Sequence, residues 1–258
     1  MAARPLALAA LLAAATLAPA GPARAERLIA TLSGEVVSIA SNFTGSQIAF
    51  FGAIERDAQS VPRPSTYEIV VVAEGPPVSA VTRQKRRTLG LWINRDSESY
   101  RLVPAFHAVL ASSPFTEVAD EATRARLGLG LDMLPLRREA GPTPPFRSAF
   151  EKAFLRLMQA EGRYFEAVDG VDFLTPTLFQ GKLAFPANVP IGTYDIRFML
   201  FQDGVKLAEE SRRIEVAKVG FEQMMTRFSR EHGYLYGLAT VVMASLTGWL
   251  AGVIFRRD

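Results

Sequence analysis

The residues best suited to chemistry in this 258-residue chain are four basic side chains that lie close together: Arg83, Lys85, Arg86 and Arg87. Arginine forks and lysine ammonium groups bind phosphate and carboxylate oxygens through charge-assisted hydrogen bonds. The cluster therefore indicates a contact for an anion, a lipid headgroup or an acidic partner. The alternative is a solvated strand edge, on which basic side chains prevent edge-to-edge pairing of sheets.

Residues that commonly carry catalysis are scarce. The sequence has no cysteine, which excludes thiol nucleophiles and disulfides, and it contains no serine-hydrolase, zinc-protease or phosphate-loop motif. His107 lies among apolar residues, which favours a structural role over catalysis. Asp169 and Asp172 flank Gly170 with the spacing of a turn rather than of a cation site. We therefore expect no catalytic residue, no metal site and no cofactor.

A second candidate site lies in the C-terminal apolar segment, residues 234–255, which contains no charged residue. At about 1.5 Å per residue these positions span roughly 33 Å, enough to cross a bilayer core as a helix. Within the predicted transmembrane helix, Ala244, Gly248 and Gly252 recur every four residues on one face. Such a stripe of small residues favours close packing against another membrane helix.

The two ends of the chain predict its topology. Residues 6–18 are uncharged, and helix breakers followed by Ala23-Arg24-Ala25 are typical of a secretory signal peptide cleaved after Ala25. A retained N-terminal membrane helix is the alternative, but it needs about 20 apolar residues. Arg256 and Arg257 follow the C-terminal span, as expected for a cytoplasmic flank. We expect a single-pass protein of the bacterial inner membrane, with its ectodomain in the periplasm and its C-terminus in the cytoplasm.

The net charge of +3 arises at these ends. They hold Arg4, Arg24, Arg256 and Arg257 against Asp258, which leaves 25 basic and 25 acidic side chains in residues 26–233. A neutral body gives no reason to expect nucleic-acid binding, which needs a basic domain. The expected partners are instead the lipid bilayer and either an integral membrane protein, such as a transporter, or a second copy bound through the transmembrane helix.

The body between the ends has the pattern of a mainly β protein, an immunoglobulin-like β-sandwich. Short apolar runs separated by turn residues occupy 28–103 and return after residue 163, and Asp203-Gly204 predicts a tight hairpin. Helices are predicted over 115–127 and 146–160, with a proline-rich linker over 135–145. The predicted organisation is a signal peptide (1–25), an N-terminal β-rich half (26–114), a helical and Pro-rich connector (115–162), a C-terminal β-rich half (163–217), a juxtamembrane amphipathic helix (218–233), a transmembrane helix (234–255) and a cytoplasmic tail (256–258).

Two structural alternatives stay open at this point. The C-terminal half, with four or five strands, either forms a minimal module or shares a core with the first half. The juxtamembrane segment either lies on the membrane surface through its apolar side or acts as a rigid stalk that continues the transmembrane helix.

Several motifs together resemble a family of transmembrane proteins of alpha-proteobacteria. They are Gly34-Glu35-Val36-Val37-Ser38-Ile39, Phe43-Thr44-Gly45, Ile48-Ala49-Phe50-Phe51-Gly52-Ala53, Leu89-Gly90-Leu91-Trp92-Ile93-Asn94, the stretch from Leu183 to Pro190, and Tyr236-Gly237-Leu238. The resemblance covers essentially the whole mature chain and implies an exported protein with one membrane span. It implies no activity and no catalytic residues, and it associates the family with sulfite-exporter-type permeases.

Three functions are consistent with these features. The leading one is a non-enzymatic membrane-anchored periplasmic protein that acts as an accessory or interaction partner of another envelope or transport protein. The second is a tethered anion- or solute-binding module that uses the basic cluster. The third, a carboxylate-dependent periplasmic hydrolase, would require a pocket in which His107 meets an acid.

Overall fold

The structure, a computed structural model, describes residues 26–56, 66–88, 90–140, 146–218 and 229–254. The predicted signal peptide, the cytoplasmic tail and most of the predicted juxtamembrane helix lie outside the described residues. The described strands, in chain order, are β1 (Glu26–Leu32), β2 (Val36–Ile39), β3 (Gly45–Arg56), β4 (Glu68–Glu74), β5 (Pro77–Thr88), β6 (Leu91–Pro104), β7 (His107–Ala111), β8 (Arg137–Arg138), β9 (Tyr164–Val168), β10 (Val171–Thr175), β11 (Leu178–Pro186), β12 (Gly192–Gln202) and β13 (Val205–Lys218). The helices are α1 (Phe115–Val118), α2 (Glu121–Leu127), a 3-10 turn (Leu131–Met133), α3 (Ala149–Ala160) and α4 (Gly233–Ile254).

Two sheets pack face to face and confirm the predicted mainly β sandwich. One has the strand order β1-β3-β11-β10 and the other has the order β2-β13-β12-β4-β7-β9. Each sheet takes strands from both β-rich halves, because β3 pairs with β11 and β4 pairs with β12. The two halves therefore share one core, which is the second of the two alternatives left open by the sequence.

Apolar residues that alternate along the strands form the core between the two sheets. Phe50 on β3 and Phe198 on β12 are fully buried between the sheets, and their rings meet edge to face at 5.5 Å. β4 contains an unbroken apolar run, and both of its faces are buried, as is typical of a strand covered on both sides. The Asp203-Gly204 hairpin is also confirmed, since both residues have positive φ angles, 51° and 78°.

A second layer covers the outer face of the six-stranded sheet. Val118 and Leu129 pack there against side chains of β4, β7 and β12. The prediction of one helix over 115–127 was wrong, because Ala119 is extended and separates α1 from α2. Asp120 causes the restart: its side chain accepts a hydrogen bond from the Thr123 backbone N–H at 3.0 Å and caps α2.

The third layer is a small sheet of order β5-β6-β8 that packs on α3. α3 begins at Ala149 rather than at residue 146, because Ser148 and Glu151 form a reciprocal capping box. Phe154 and Leu155 are buried, and the Phe154 ring lies 5.4 Å from that of Tyr100. The basic cluster lies on β5, an edge strand of this sheet, as the strand-edge alternative predicted, whereas β8 lies in the segment predicted as a linker.

Helix α4 agrees with the predicted membrane span. It has 22 residues and is long and apolar enough to cross a membrane. None of its most apolar stretch is buried against the rest of the described chain. Its Thr240, Ser245 and Thr247 hydroxyls donate hydrogen bonds to carbonyl oxygens four residues earlier, at 2.6–2.8 Å. These polar groups are therefore satisfied within the helix, as a lipid environment requires.

Candidate functional site

The strands β5 and β6 form a long hairpin, described over residues 77–88 and 90–104, which we call the arm. β5 and β6 pair along almost their whole length, whereas β8 joins them only at Tyr100 and Arg101. Twelve residues in a strand reach about 40 Å at roughly 3.3 Å per residue. Much of the arm beyond its base is exposed on both faces. The arm therefore presents a two-stranded ribbon to solvent.

The tip of the arm, defined as Leu91, Trp92 and Ile93, consists of three consecutive apolar residues at the start of β6. They are exposed by 69%, 68% and 45%, respectively. Gly90 adopts a φ of 84° in the turn before them, a conformation that L side chains rarely take. Isolated exposed apolar residues are ordinary, but a contiguous patch is typical of an interaction surface.

The four predicted basic residues all lie on β5, and the structure divides them. Arg87 pairs across the hairpin with Trp92 and is near the tip, and Arg86 pairs across with Ile93. The Arg86 guanidinium is also ion-paired with Asp96, with Nε 3.1 Å from Oδ2. The other two, Arg83 and Lys85, are among the residues that line a groove farther down the arm.

This basic groove runs between β5 and α3 and encloses about 560 Å³. Its cations are Arg83 and Lys85 from the strand and Lys152 and Arg156 from the helix. No carboxylate is among the described residues that line it, and none of the four cations has an ion pair or hydrogen bond within the described chain. The remaining lining residues are Thr82, Gln84, Ala149, Phe150 and Ala153.

The helix side of the groove was missed from the sequence. Lys152 and Arg156 are spaced four residues apart, so they lie on one face of α3, but about 70 residues separate them from β5. An amphipathic pattern tells which face of a helix is polar and does not tell which strand that face will meet. In the sequence, this side of the groove was indicated only by a pair of like charges four residues apart.

Acidic side chains behind the groove are engaged elsewhere. Arg138 donates hydrogen bonds to both carboxylate oxygens of Glu98, and these bonds lower the pKa of Glu98. Glu151 accepts from the backbone N–H of Ser148 in the capping box. Burial raises the pKa of the neighbouring Tyr100 hydroxyl, so that it stays neutral. This partly buried polar cluster fixes α3 against the base of the arm and leaves the groove cationic.

His107 lies in β7 with no exposed surface. Its Nδ1 is 3.5 Å from Glu74 Oε1, and Arg197 lies 3.5 Å from the other carboxylate oxygen. The adjacent His107 and then the charge of Arg197 lower the pKa of Glu74. The histidine and an acid do meet, but the imidazole has no surface that a substrate could reach.

The other chemical candidates form no site among the described residues. Asp169 has a φ of 64° next to Gly170 and occupies the turn between β9 and β10, as its spacing indicated. In the part of the chain that the structure describes, no group of three or more His, Cys, Asp or Glu side chains could hold a metal ion.

The small-residue stripe of α4 is fully open. A Cβ atom built at Gly248 or Gly252 meets nothing within 4 Å, and the neighbouring Ala244 is also exposed. The stripe is therefore free to approach another helix. Pairing of this helix stays a prediction.

These features define a class of protein: a β-sandwich with one helix suited to span a membrane. The comparison with known families gives the same class. The family model described as "Putative transmembrane protein" (Alph_Pro_TM) matches residues 27–257, and the chain belongs to that family. No curated protein matches the chain. The resemblance seen in the sequence motifs is therefore confirmed, and it carries no assigned activity.

Proposed function

We propose that this protein is a non-enzymatic accessory protein, anchored in the bacterial inner membrane by α4, whose arm contacts an integral membrane protein such as a transporter. The observation that carries this proposal is the contiguous apolar tip, exposed at the end of a hairpin that contributes little to the sandwich core. A membrane-anchored protein meets membrane-embedded partners at high effective concentration.

The proposed orientation rests on charge. Arg256 and Arg257 immediately follow the apolar segment, and basic residues are enriched on the cytoplasmic side of membrane spans. Together with the predicted signal peptide, this supports a periplasmic sandwich and a cytoplasmic flank after the span. Cysteine accessibility tests the topology: a cysteine at exposed Leu174 should react with a membrane-impermeant reagent in intact spheroplasts, whereas one at Asp258 should react only after lysis. The reverse pattern would contradict the orientation.

The composition of the tip favours a protein partner. Tryptophan, with its large rigid surface, is enriched among the residues that dominate binding energy at interfaces. Arg87 lies directly across the hairpin from Trp92, so an apolar centre has a cationic neighbour. This arrangement fits an apolar pocket with an acidic rim on the partner.

Site-specific photocrosslinking tests the proposed contact. A photoreactive amino acid at Trp92 in the full chain, in native membranes, should form one dominant adduct with a protein that itself contains membrane spans. The matched control is Leu174, which is 53% exposed on the sandwich strand β10. Equal adducts at both positions, or none at Trp92, would contradict the proposal.

Self-association through α4 is the alternative partner. The exposed stripe of Ala244, Gly248 and Gly252 supports it. Gly248→Ile with Gly252→Ile should abolish helix pairing in a membrane two-hybrid assay, because the larger side chains separate the backbones. An undiminished signal would exclude pairing through this face.

The basic groove favours a second function, a tethered anion- or solute-binding module. The hydrolase alternative gains no comparable support, because His107 is fully buried and its acid partner also contacts Arg197.

A further inference from the structure

We propose that the basic groove between β5 and α3 binds a phosphate-bearing anion, held between Arg83 and Lys85 of the strand and Lys152 and Arg156 of the helix. This proposal goes beyond the accessory function, because the groove and the tip are different surfaces of the arm. It concerns the chemistry of a ligand rather than the identity of a protein partner.

The first argument is the unbalanced charge. Four cations line one groove, and no carboxylate is among the described residues that line it with them. Like charges four residues apart on a helix are mutually destabilising, as are like charges held on neighbouring elements. Elsewhere on the arm a cation is neutralised locally, because Arg86 is paired with Asp96. An anion in the groove would supply the missing neutralisation.

The second argument is the supply of hydrogen-bond donors. The two arginines offer forked guanidinium groups, which match the oxygens of a phosphate, and the two lysines add point charges. β5 is also the edge strand of its sheet in the described chain. Its outer backbone therefore has N–H groups that no neighbouring strand occupies. A phosphate, with several acceptor oxygens and up to two negative charges, uses this donor set more fully than a carboxylate does.

The third argument is size and lining. A volume of about 560 Å³ is larger than a bare phosphate needs and lies within the range of small-molecule sites. Phe150 and Ala153 add a partly buried apolar wall beside the charges. The groove therefore suits a phosphate ester with an organic part. A soluble phosphate ester and a phospholipid headgroup share this chemistry.

The test uses the full chain in neutral detergent and titration calorimetry with three probes. They are inorganic phosphate, short-chain phosphatidylglycerol below its micelle concentration, and short-chain phosphatidylcholine as the zwitterionic comparison. The test variant is Lys152→Gln with Arg156→Gln, since glutamine preserves helix propensity. The matched control is Arg126→Gln with Lys182→Gln, which removes the same charge from exposed positions outside the groove.

We expect inorganic phosphate or phosphatidylglycerol to bind the unmodified chain and the control. The test variant should bind about tenfold more weakly or worse, which corresponds to about 1.4 kcal/mol. Binding of phosphatidylglycerol without phosphate would identify a lipid headgroup, and the reverse would identify a soluble anion; either result supports the proposal. Absence of binding by both anionic probes, equal binding of phosphatidylcholine, or an equal loss in the control would overturn it.

The tip variant Trp92→Ser separates this proposal from the accessory function. It should lose the crosslinked partner and keep the anion affinity. Loss of anion affinity in Trp92→Ser, with the fold retained, would show that the groove is not an independent site. Circular dichroism of each variant establishes that the fold is retained.

Discussion

The sandwich and the arm are both built from antiparallel strands, yet they use aromatic residues in opposite ways. In the sandwich, Phe50 and Phe198 are completely buried and contact each other. In the arm, Trp92 is 68% exposed at the tip. Burial of a large apolar side chain stabilises a fold by roughly 1.5–3 kcal/mol. The exposed side chains of the tip lack much of that stabilisation. The contrast shows that the tip adds little to the folding core, and it is the basis of the proposal that the tip binds a partner.

Substitution of one aromatic residue from each region should give the largest difference. Phe198→Ala is expected to lower the free energy of unfolding by about 3–5 kcal/mol, because it leaves a cavity between the sheets. Trp92→Ala should change the same quantity by no more than about 0.5 kcal/mol. Urea unfolding of the full chain in detergent, followed by circular dichroism, measures both. Comparable losses would mean that the tip is part of the folding core.

Glycine substitutions test the same difference between the sandwich and the arm. A Cβ atom at Gly181 would lie 2.6 Å from the Gly170 carbonyl oxygen and 2.2 Å from the Phe50 ring. Gly181→Ala should therefore cost roughly 3 kcal/mol through overpacking of the sandwich. Gly90→Ala, in the turn of the arm, meets nothing within 4 Å and should cost about 1 kcal/mol through its positive φ. Thermal unfolding of the two variants should give this order, and the opposite order would contradict the packing described.

The partly buried polar cluster at the base of the arm should make a smaller, pH-dependent contribution. The pKa of Glu98 is lowered in the folded chain, chiefly by its hydrogen bonds with Arg138. The stabilisation is therefore present above the ordinary glutamate pKa and is lost as the pH falls through the lowered value. The melting temperatures of the unmodified chain and of Glu98→Gln should differ most at about pH 7 and converge in acid. A constant difference would argue against the ion pair.

Burial explains which parts of the fold could be predicted from the sequence. β4 and residues 198–201 of β12 are apolar because they are covered on both sides, and α4 is free of charge, as a membrane span must be. Hydrophobicity alone therefore predicted these elements. β7 is also fully buried, but the short apolar run after His107 has no period that distinguishes strand from helix. Residues 83–87 are all polar and exposed, so hydrophobic periodicity gave no signal for β5, and only the basic cluster itself indicated a strand edge there.

The candidate sites were predictable only in part. Arg83 and Lys85 stand out as a local cluster, but their partners Lys152 and Arg156 join them through the packing of α3 beside β5. A contact between segments so distant in sequence depends on the tertiary fold. The sequence placed Leu91, Trp92 and Ile93 in a strand, but it gave no indication that their side chains would be exposed.

Quantitative copurification distinguishes the arm from the sandwich as the surface that holds the proposed membrane partner. Leu91→Ser with Trp92→Ser is compared with Val168→Ser with Leu174→Ser, a pair of exposed apolar residues on the sandwich. The copurifying protein is the one identified by crosslinking at Trp92. We expect the recovered amount of this protein to fall by about tenfold or more with the tip variant and to be unchanged with the sandwich variant. The two variants should have equal melting temperatures. Equal recovery with both variants would contradict the account.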